Sequence, residues 1–251
     1  MREVPTWLML IAQLSDTHIW PAGHLYQDVV DSNRMFVEAL EHLHGLDRRP
    51  DLIVLTGDLV DEGLPDEYVG VRHLLDRTDI PYLVIPGNHD NREHFRAAFA
   101  DQAYLPAEGP LHYCIDDHAV RIVALDSCVP DKHHGHVDHA GLEWLSRALE
   151  RDTRKPTMLM LHHPPFVAVK ARAGAMWAAR LAGLVARQRP RAPHRSLLAS
   201  QIAQASHAAP KLAGNMRPVT RTGGEQTWTA RVVGNSYPPA IRWRWVVGCG
   251  S

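Results

Sequence analysis

Four short stretches carry the residues able to do chemistry. They are Asp16 and His18 in SDTHI, Asp58 and Asp61 in TGDLVDEG, Asn88, His89 and Asp90 in PGNHD, and His162 and His163 in LHHPPF. Carboxylate, imidazole and amide oxygen suit borderline-hard divalent ions such as Mn²⁺, Fe²⁺ or Zn²⁺. Taken singly, each stretch has an ordinary explanation. D-x-H reads as a turn with a surface histidine, GD after a strand is a common turn, and Asn88 could cap a helix. His163, next to two prolines, reads as a structural group or a neighbour of the ligands. The four stretches in order, each directly after an apolar run, point instead to a shared metal site. A bridging Asp would hold two ions about 3.5–4 Å apart, acidify a bridging water into a nucleophile and neutralise phosphoryl oxygens during in-line displacement. The indicated chemistry is metal-assisted hydrolysis of a phosphate ester.

The elements that must position these residues follow from periodicity. MLIAQLSD, DLIVLTGD, PYLVIPGNHD, LHYCIDD, VRIVALDS and TMLMLHHPP read as strands, and NRMFVEALEHLHGL, DEYVGVRHLLDR, NREHFRAAF and AGLEWLSRALER as helices. Alternating strands and helices, with nearly continuous apolar strands, predict a sheet buried on both faces by helices. In open α/β sheets the ligand crevice lies outside the carboxyl ends of the strands. Four strands therefore deliver their polar ends to one edge.

Bulk properties limit the setting. A chain of 251 residues, 45% hydrophobic, has the size of a globular enzyme domain. No apolar run approaches the roughly 20 residues of a membrane span, and the first residues run into a charged strand end, not a cleavage site. A cytoplasmic protein with no membrane partner is expected. Three cysteines without a CxxC pair argue against a disulfide framework and a cysteine-based zinc site. Seventeen histidines are many for this length and agree with a metal role. Net charge is −1 overall, yet residues 1–170 hold 15 basic and 27 acidic residues, and residues 171–251 hold 12 and 1. That break divides the chain into a catalytic domain, 1–170, and a basic, largely irregular segment, 171–251.

With those residues in hand, the sequence resembles the calcineurin-like metallophosphoesterases. SDTHI, TGDLVDEG, PGNHD and LHHPPF look most like the class III cyclic-nucleotide phosphodiesterase branch, which includes glycerophosphodiesterases; the likeness covers roughly residues 8 to 167. It implies an α/β fold, a four-layer α/β/β/α sandwich of two mixed sheets with a dimetal site at the strand C-terminal ends. It makes Asp16 and His18 ligands of the first metal, Asp58 the bridge, and Asn88 and His162 ligands of the second. His162 is chosen over His163 because it fills the first position of H-x-P. His89 would contact the phosphate or protonate the leaving oxygen, with Asp90 orienting its ring and Asp61 supporting the ligands. The implied cofactors are two divalent ions, Fe²⁺/Mn²⁺ or Zn²⁺. The implied activity is phosphodiester hydrolysis, with a small-molecule phosphodiester such as cAMP as substrate and a homodimer as the assembly the resemblance suggests.

One departure stands out. Family members complete the site with a G-H-x-H motif after the HHPP strand, and here only His194 and His207 follow His163. His133, His134, His136 and His139 precede that strand, and a rim shaping the substrate pocket suits them better than metal ligation. Residues 171–251 read either as a basic arm or as a replacement of the usual ending, for example by a shift of reading frame; the missing motif and the charge break begin together, which favours replacement. An active phosphodiesterase is the leading expectation. The alternatives are an impaired phosphoesterase-fold protein lacking the G-H-x-H ligands, and a glycerophosphodiesterase or a nucleic-acid-associated phosphoesterase.

Overall fold

A computed structural model describes residues 9–26, 28–151, 156–163 and 197–200. In chain order these form β1 (Ile11–Leu14), α1 (Ser32–His44), β2 (Leu52–Thr56), α2 (Pro65–Leu75), β3 (Tyr82–Ile85), α3 (Arg92–Ala98), β4 (Tyr113–Ile115), β5 (Arg121–Ala124), α4 (His139–Glu150), β6 (Thr157–Met160) and β7 (Leu197–Ser200). The helices begin where side chains can take the first free amides. Asp31 accepts from Arg34 N–H before α1, Asn91 from Glu93 and His94 before α3, and Asp138 from Gly141 before α4. At α2 the Glu67 carboxylate reaches back to the Leu64 amide at 2.8 Å, and Pro65 opens the helix.

The strands form two sheets. One is β1-β2-β3, all parallel; the other is β4-β5-β6-β7, with β4 antiparallel to β5 and the rest parallel. This places the chain in the α/β class with a mixed sheet.

Alternation along β2 shows how the core is divided. Ile53 and Leu55 join Phe36, Leu40 and Leu43 of α1, Val71 and Leu75 of α2, and Phe95 of α3. Leu52 and Val54 instead join Ile122 and Ala124 of β5 and Met158 and Met160 of β6. The opposite face of β5 and β6, Val123 and Leu159, packs on Leu142, Leu145 and Leu149 of α4. The expected single sheet covered by helices on both faces is thus corrected: the strands form two sheets, and the face of β2 that carries Leu52 and Val54 clusters with residues of β5 and β6 instead of with helices. Both faces are apolar either way, so strand hydrophobicity does not reveal what covers them.

β7 lies within the basic segment and pairs with β6, Met160 opposite Ser200. The expected irregular course of the rest of residues 171–251 falls outside the described residues, as do the prolines of LHHPPF. Among the described residues no helix is long and apolar enough to cross a membrane.

Candidate metal centre

The polar ends of β1 and β2 leave their sheet together. Past the last strand residues the pairing continues through Asp16 N–H to the Gly57 carbonyl, His18 N–H to the Asp58 carbonyl and Ile19 N–H to the Leu59 carbonyl, at 2.9–3.0 Å. Asp16, His18 and Asp58 take left-handed backbone, with φ of 56°, 39° and 50°. Such conformations cost energy in non-glycine residues and cluster at sites where side-chain aim matters. Their effect here is that ligand atoms of Asp16, His18 and Asp58 all lie within 4.8 Å of one another.

Two glycines let the backbones approach this closely. A Cβ on Gly87 would stand 2.1 Å from Asp58 Oδ1, and one on Gly57 would stand 2.5 Å from His162 Nδ1. Gly57 also has φ +94°, a conformation glycine adopts without steric cost.

Each imidazole is oriented by a hydrogen bond at one nitrogen, which leaves the other for the site. His18 Nδ1 lies 2.9 Å from Asp61 Oδ1, and its Nε2 lies 3.8 Å from Asp58 Oδ2. His162 Nδ1 donates to the Thr56 carbonyl at 2.9 Å; its Nε2 stands 3.3 Å from Asn88 Oδ1 and 3.4 Å from Asp58 Oδ1. His89 Nδ1 donates to the Asp61 carbonyl at 2.6 Å, with Asp61 Oδ1 3.4 Å away. The His89 amide donates to Asp58 Oδ1 at 2.9 Å.

The electrostatics of the site run against burial. Burial alone would raise the Asp58 carboxyl, but the charge and hydrogen bond of His162 outweigh it, helped by His89, and hold it far below the usual carboxylate range. His162 is the other half of that pair. Burial would lower it, and Asp58 instead carries it up to about 9. His163 differs: burial, then the charge of His162, take it down to about 4. Its Nδ1 meets Ser127 Oγ at 2.8 Å, so of the two adjacent histidines it is His162 whose ring reaches Asp58 and Asn88.

Asp90 departs from its expected role. It does not orient the His89 ring; Asp61 takes that place. Asp90 Oδ2 accepts from the Gly87 and Leu59 amides at 2.8 and 3.2 Å, and Oδ1 accepts from the Tyr68 hydroxyl at 2.9 Å. The side chain folds back on its own loop because the Gly87 amide, three residues earlier, is within its reach. Burial and the charge of Asp58 push its carboxyl up to about 7.

This donor set fits divalent metal. It offers an ionised carboxylate in Asp58, a second in reach at Asp16, the Asn88 amide oxygen, and the imidazoles of His18 and His162, each with its Nε2 turned toward Asp58.

Residues 9–188 match the family model for calcineurin-like phosphoesterases. The chain belongs to the calcineurin-like phosphoesterase family. It is 35% identical over 157 residues to the probable glycerophosphodiester phosphodiesterase GpdQ of Arcobacter nitrofigilis, covering 62% of this chain and 58% of that protein. It is 36% identical over 170 residues to the cAMP/cGMP dual specificity phosphodiesterase of Mycobacterium tuberculosis, covering 66% of this chain and 52% of that one. A third relative, the glycerophosphodiester phosphodiesterase GpdQ of Enterobacter lignolyticus, is 35% identical over 159 residues, covering 62% and 57%. The chain therefore spans little more than half the length of these curated relatives.

In this member of the family the histidine-rich stretch before α4 reaches the edge of the site. His133 Nδ1 lies 3.5 Å from Asn88 Nδ2, and its ring centroid is 5.8 Å from that of His89. Gly135 lets this stretch press on His163, whose ring a Cβ there would meet at 2.3 Å. Tyr68 and Asp126 escaped the sequence reading. Tyr68 reads as an apolar position of a helix and Asp126 as the end of a strand, and their polar groups find partners only once the chain is folded. β7 ends level with β6 at Ser200, and the sequence that follows, QIAQASH, holds no G-H-x-H.

Proposed function

We propose that this chain is a dimetal-dependent phosphoric ester hydrolase, most specifically a 3′,5′-cyclic-nucleotide phosphodiesterase. The observation that carries the reading is the convergence of Asp16, His18, Asp58, Asn88 and His162 on one strand-end edge, with Asp58 in contact with His18 on one side and His162 on the other. Asp16 and His18 would hold the first ion, Asn88 and His162 the second, and Asp58 both. Two such ions, Fe²⁺/Mn²⁺ or Zn²⁺, would supply an acidified water and offset the charge of the phosphoryl oxygens.

The chain's own residues do the rest. Asp61 fixes which nitrogen of His18 and of His89 faces the site. His89 is free at Nε2 to bind a phosphate oxygen or to give a proton to the leaving oxygen. His133, at the rim, lines the approach of the ester. The names of the relatives support a phosphodiester such as cAMP, or a glycerophosphodiester, as substrate. A four-layer α/β/β/α arrangement is supported by the three apolar clusters. The family match begins at residue 9 and extends to residue 188, past the charge break at residue 170.

The missing G-H-x-H motif favours a second reading, in which the fold and five ligands persist but metal is held weakly and turnover is impaired. One experiment separates the two: bound metal per purified chain, measured with Mn²⁺-dependent hydrolysis of bis(p-nitrophenyl) phosphate and cyclic AMP. Active enzyme shows metal and turnover together. Fewer than about one metal per chain with no turnover sinks the active-enzyme reading.

A further inference from the structure

We propose that Tyr68, which lies outside every metal-binding stretch, positions the Asn88–His89 loop by acting through Asp90. This rests on the metal-centre reading above. Tyr68 sits on the inner face of α2, 1% exposed, with its ring edge-on to Phe95 of α3 at 6.1 Å between centroids. A phenylalanine would pack equally well there. What a phenylalanine would lack is the hydroxyl, and the hydroxyl has no partner in the core that surrounds it. It donates to Asp90 Oδ1 at 2.9 Å and accepts from the Asn91 amide at 3.0 Å. Both partners belong to the loop that follows β3.

The consequence runs through Asp90. Its Oδ2 accepts from Gly87 in the loop that bears Asn88 and His89, and from Leu59 in the loop that bears Asp58. One carboxylate therefore ties the two ligand-bearing loops together. Tyr68 is the one side chain among the described residues that bonds this carboxylate, and it sets the twist of the group about Cβ–Cγ. The Asn91 amide holds the far end of the same loop to the same oxygen, and the Asn91 side chain starts α3. Without the hydroxyl the carboxylate keeps its two amide bonds at Oδ2 but loses the one that fixes Oδ1, and the Asn91 amide loses its acceptor. The loop is then held less firmly against Asp58, including the bond from the His89 amide to Asp58 Oδ1. α2 thus reaches the loop that bears Asn88 and His89 through the Tyr68 phenol.

The test pairs two variants of α2 in the full chain. Tyr68→Phe removes the hydroxyl and keeps the ring; Val71→Ala removes buried volume from the same helix and touches nothing at the site. Mn²⁺ affinity is read by titration calorimetry, and kcat and KM with bis(p-nitrophenyl) phosphate. Tyr68→Phe is expected to weaken Mn²⁺ binding and kcat by about tenfold, the low end of what outer partners of a metal site contribute, with KM little changed. Val71→Ala is expected to lower the melting temperature at least as far while keeping wild-type Mn²⁺ affinity. Equal affinity in Tyr68→Phe and wild type overturns the role of Tyr68 alone, as does an equal loss of affinity in Val71→Ala. Wild-type chain that binds no Mn²⁺ overturns the metal-centre reading and this one with it.

Discussion

Gly87 has no room for a methyl group, and the reason is Asp58. An added Cβ would meet the carboxylate at 2.1 Å and the Asp58 amide at 2.2 Å, both parts of a strand end that cannot swing away. Gly87→Ala is accordingly expected to displace Asp58, costing about 1–3 kcal/mol of stability and most of the metal affinity. Urea unfolding and Mn²⁺ titration check this; a variant with wild-type affinity would show that the approach of the two loops is not needed. The residue types at the site were legible in advance, because Asp, His and Asn directly after apolar runs have few structural uses in combination. Which of His162 and His163 turns toward Asp58 follows from the fold: His162 Nε2 stands 3.4 Å from Asp58, while His163 Nδ1 meets Ser127. What Asp90 does was not legible in advance. A carboxylate next to His89 could orient that ring or turn back on its own loop, and the decision belongs to the Leu59 amide and the Tyr68 hydroxyl, contributed by chain about 20–30 residues away.

At the scale of elements, α3 is fastened to the end of β5 by a buried ion pair. Arg92 meets both oxygens of Asp126 at 2.6 and 3.1 Å, and the same carboxylate accepts from the Leu111 and Cys128 amides at 3.0 and 2.8 Å. Burial alone would raise the Asp126 carboxyl, but the hydrogen bond and charge of Arg92, with those two amides, outweigh it and hold it below its ordinary value. Arg92→Ala leaves this carboxylate buried without its cation and is expected to cost about 3 kcal/mol in chemical denaturation near neutral pH. The sign of the pH dependence follows from the depressed value in the folded state. The contribution is complete above the unfolded carboxylate value, about 3.9, and is lost as pH falls through the lower folded value. The stability gap between wild type and Asp126→Asn should therefore be full at neutral pH and close under acid; a gap that persists below the folded value would rule out the pair as its source. The strands and helices were legible from periodicity, although the strands are shorter than their apolar runs because the ends leave the sheet to form the site. This clamp was not legible, since ALDS reads simply as the end of a strand.

For the whole molecule, a metal held by side chains at the ends of four strands would couple metal binding to folding. Mn²⁺ at a free concentration about 100 times its dissociation constant should stabilise the fold by about 2.7 kcal/mol, and EDTA should reverse the gain. Thermal unfolding with and without the chelator tests this, and an unchanged midpoint would show that the ligands do not hold metal in the native state. The sequence by itself determined the α/β class, the order of the elements from β1 to β6 and the residue types that follow the strands, because local periodicity and short motifs are written in neighbouring residues; β7, in the segment expected to be irregular, was not read from it. It also showed that the final histidine pair of the family is absent after His163. Tertiary structure alone decided that Leu52 and Val54 cluster with β5 and β6, that Asp61 and not Asp90 meets the His89 ring, and that the Tyr68 hydroxyl meets Asp90 and Arg92 meets Asp126. Those outcomes depend on which distant groups meet. An apolar face or a carboxylate accepts many partners, and only the packed chain selects one.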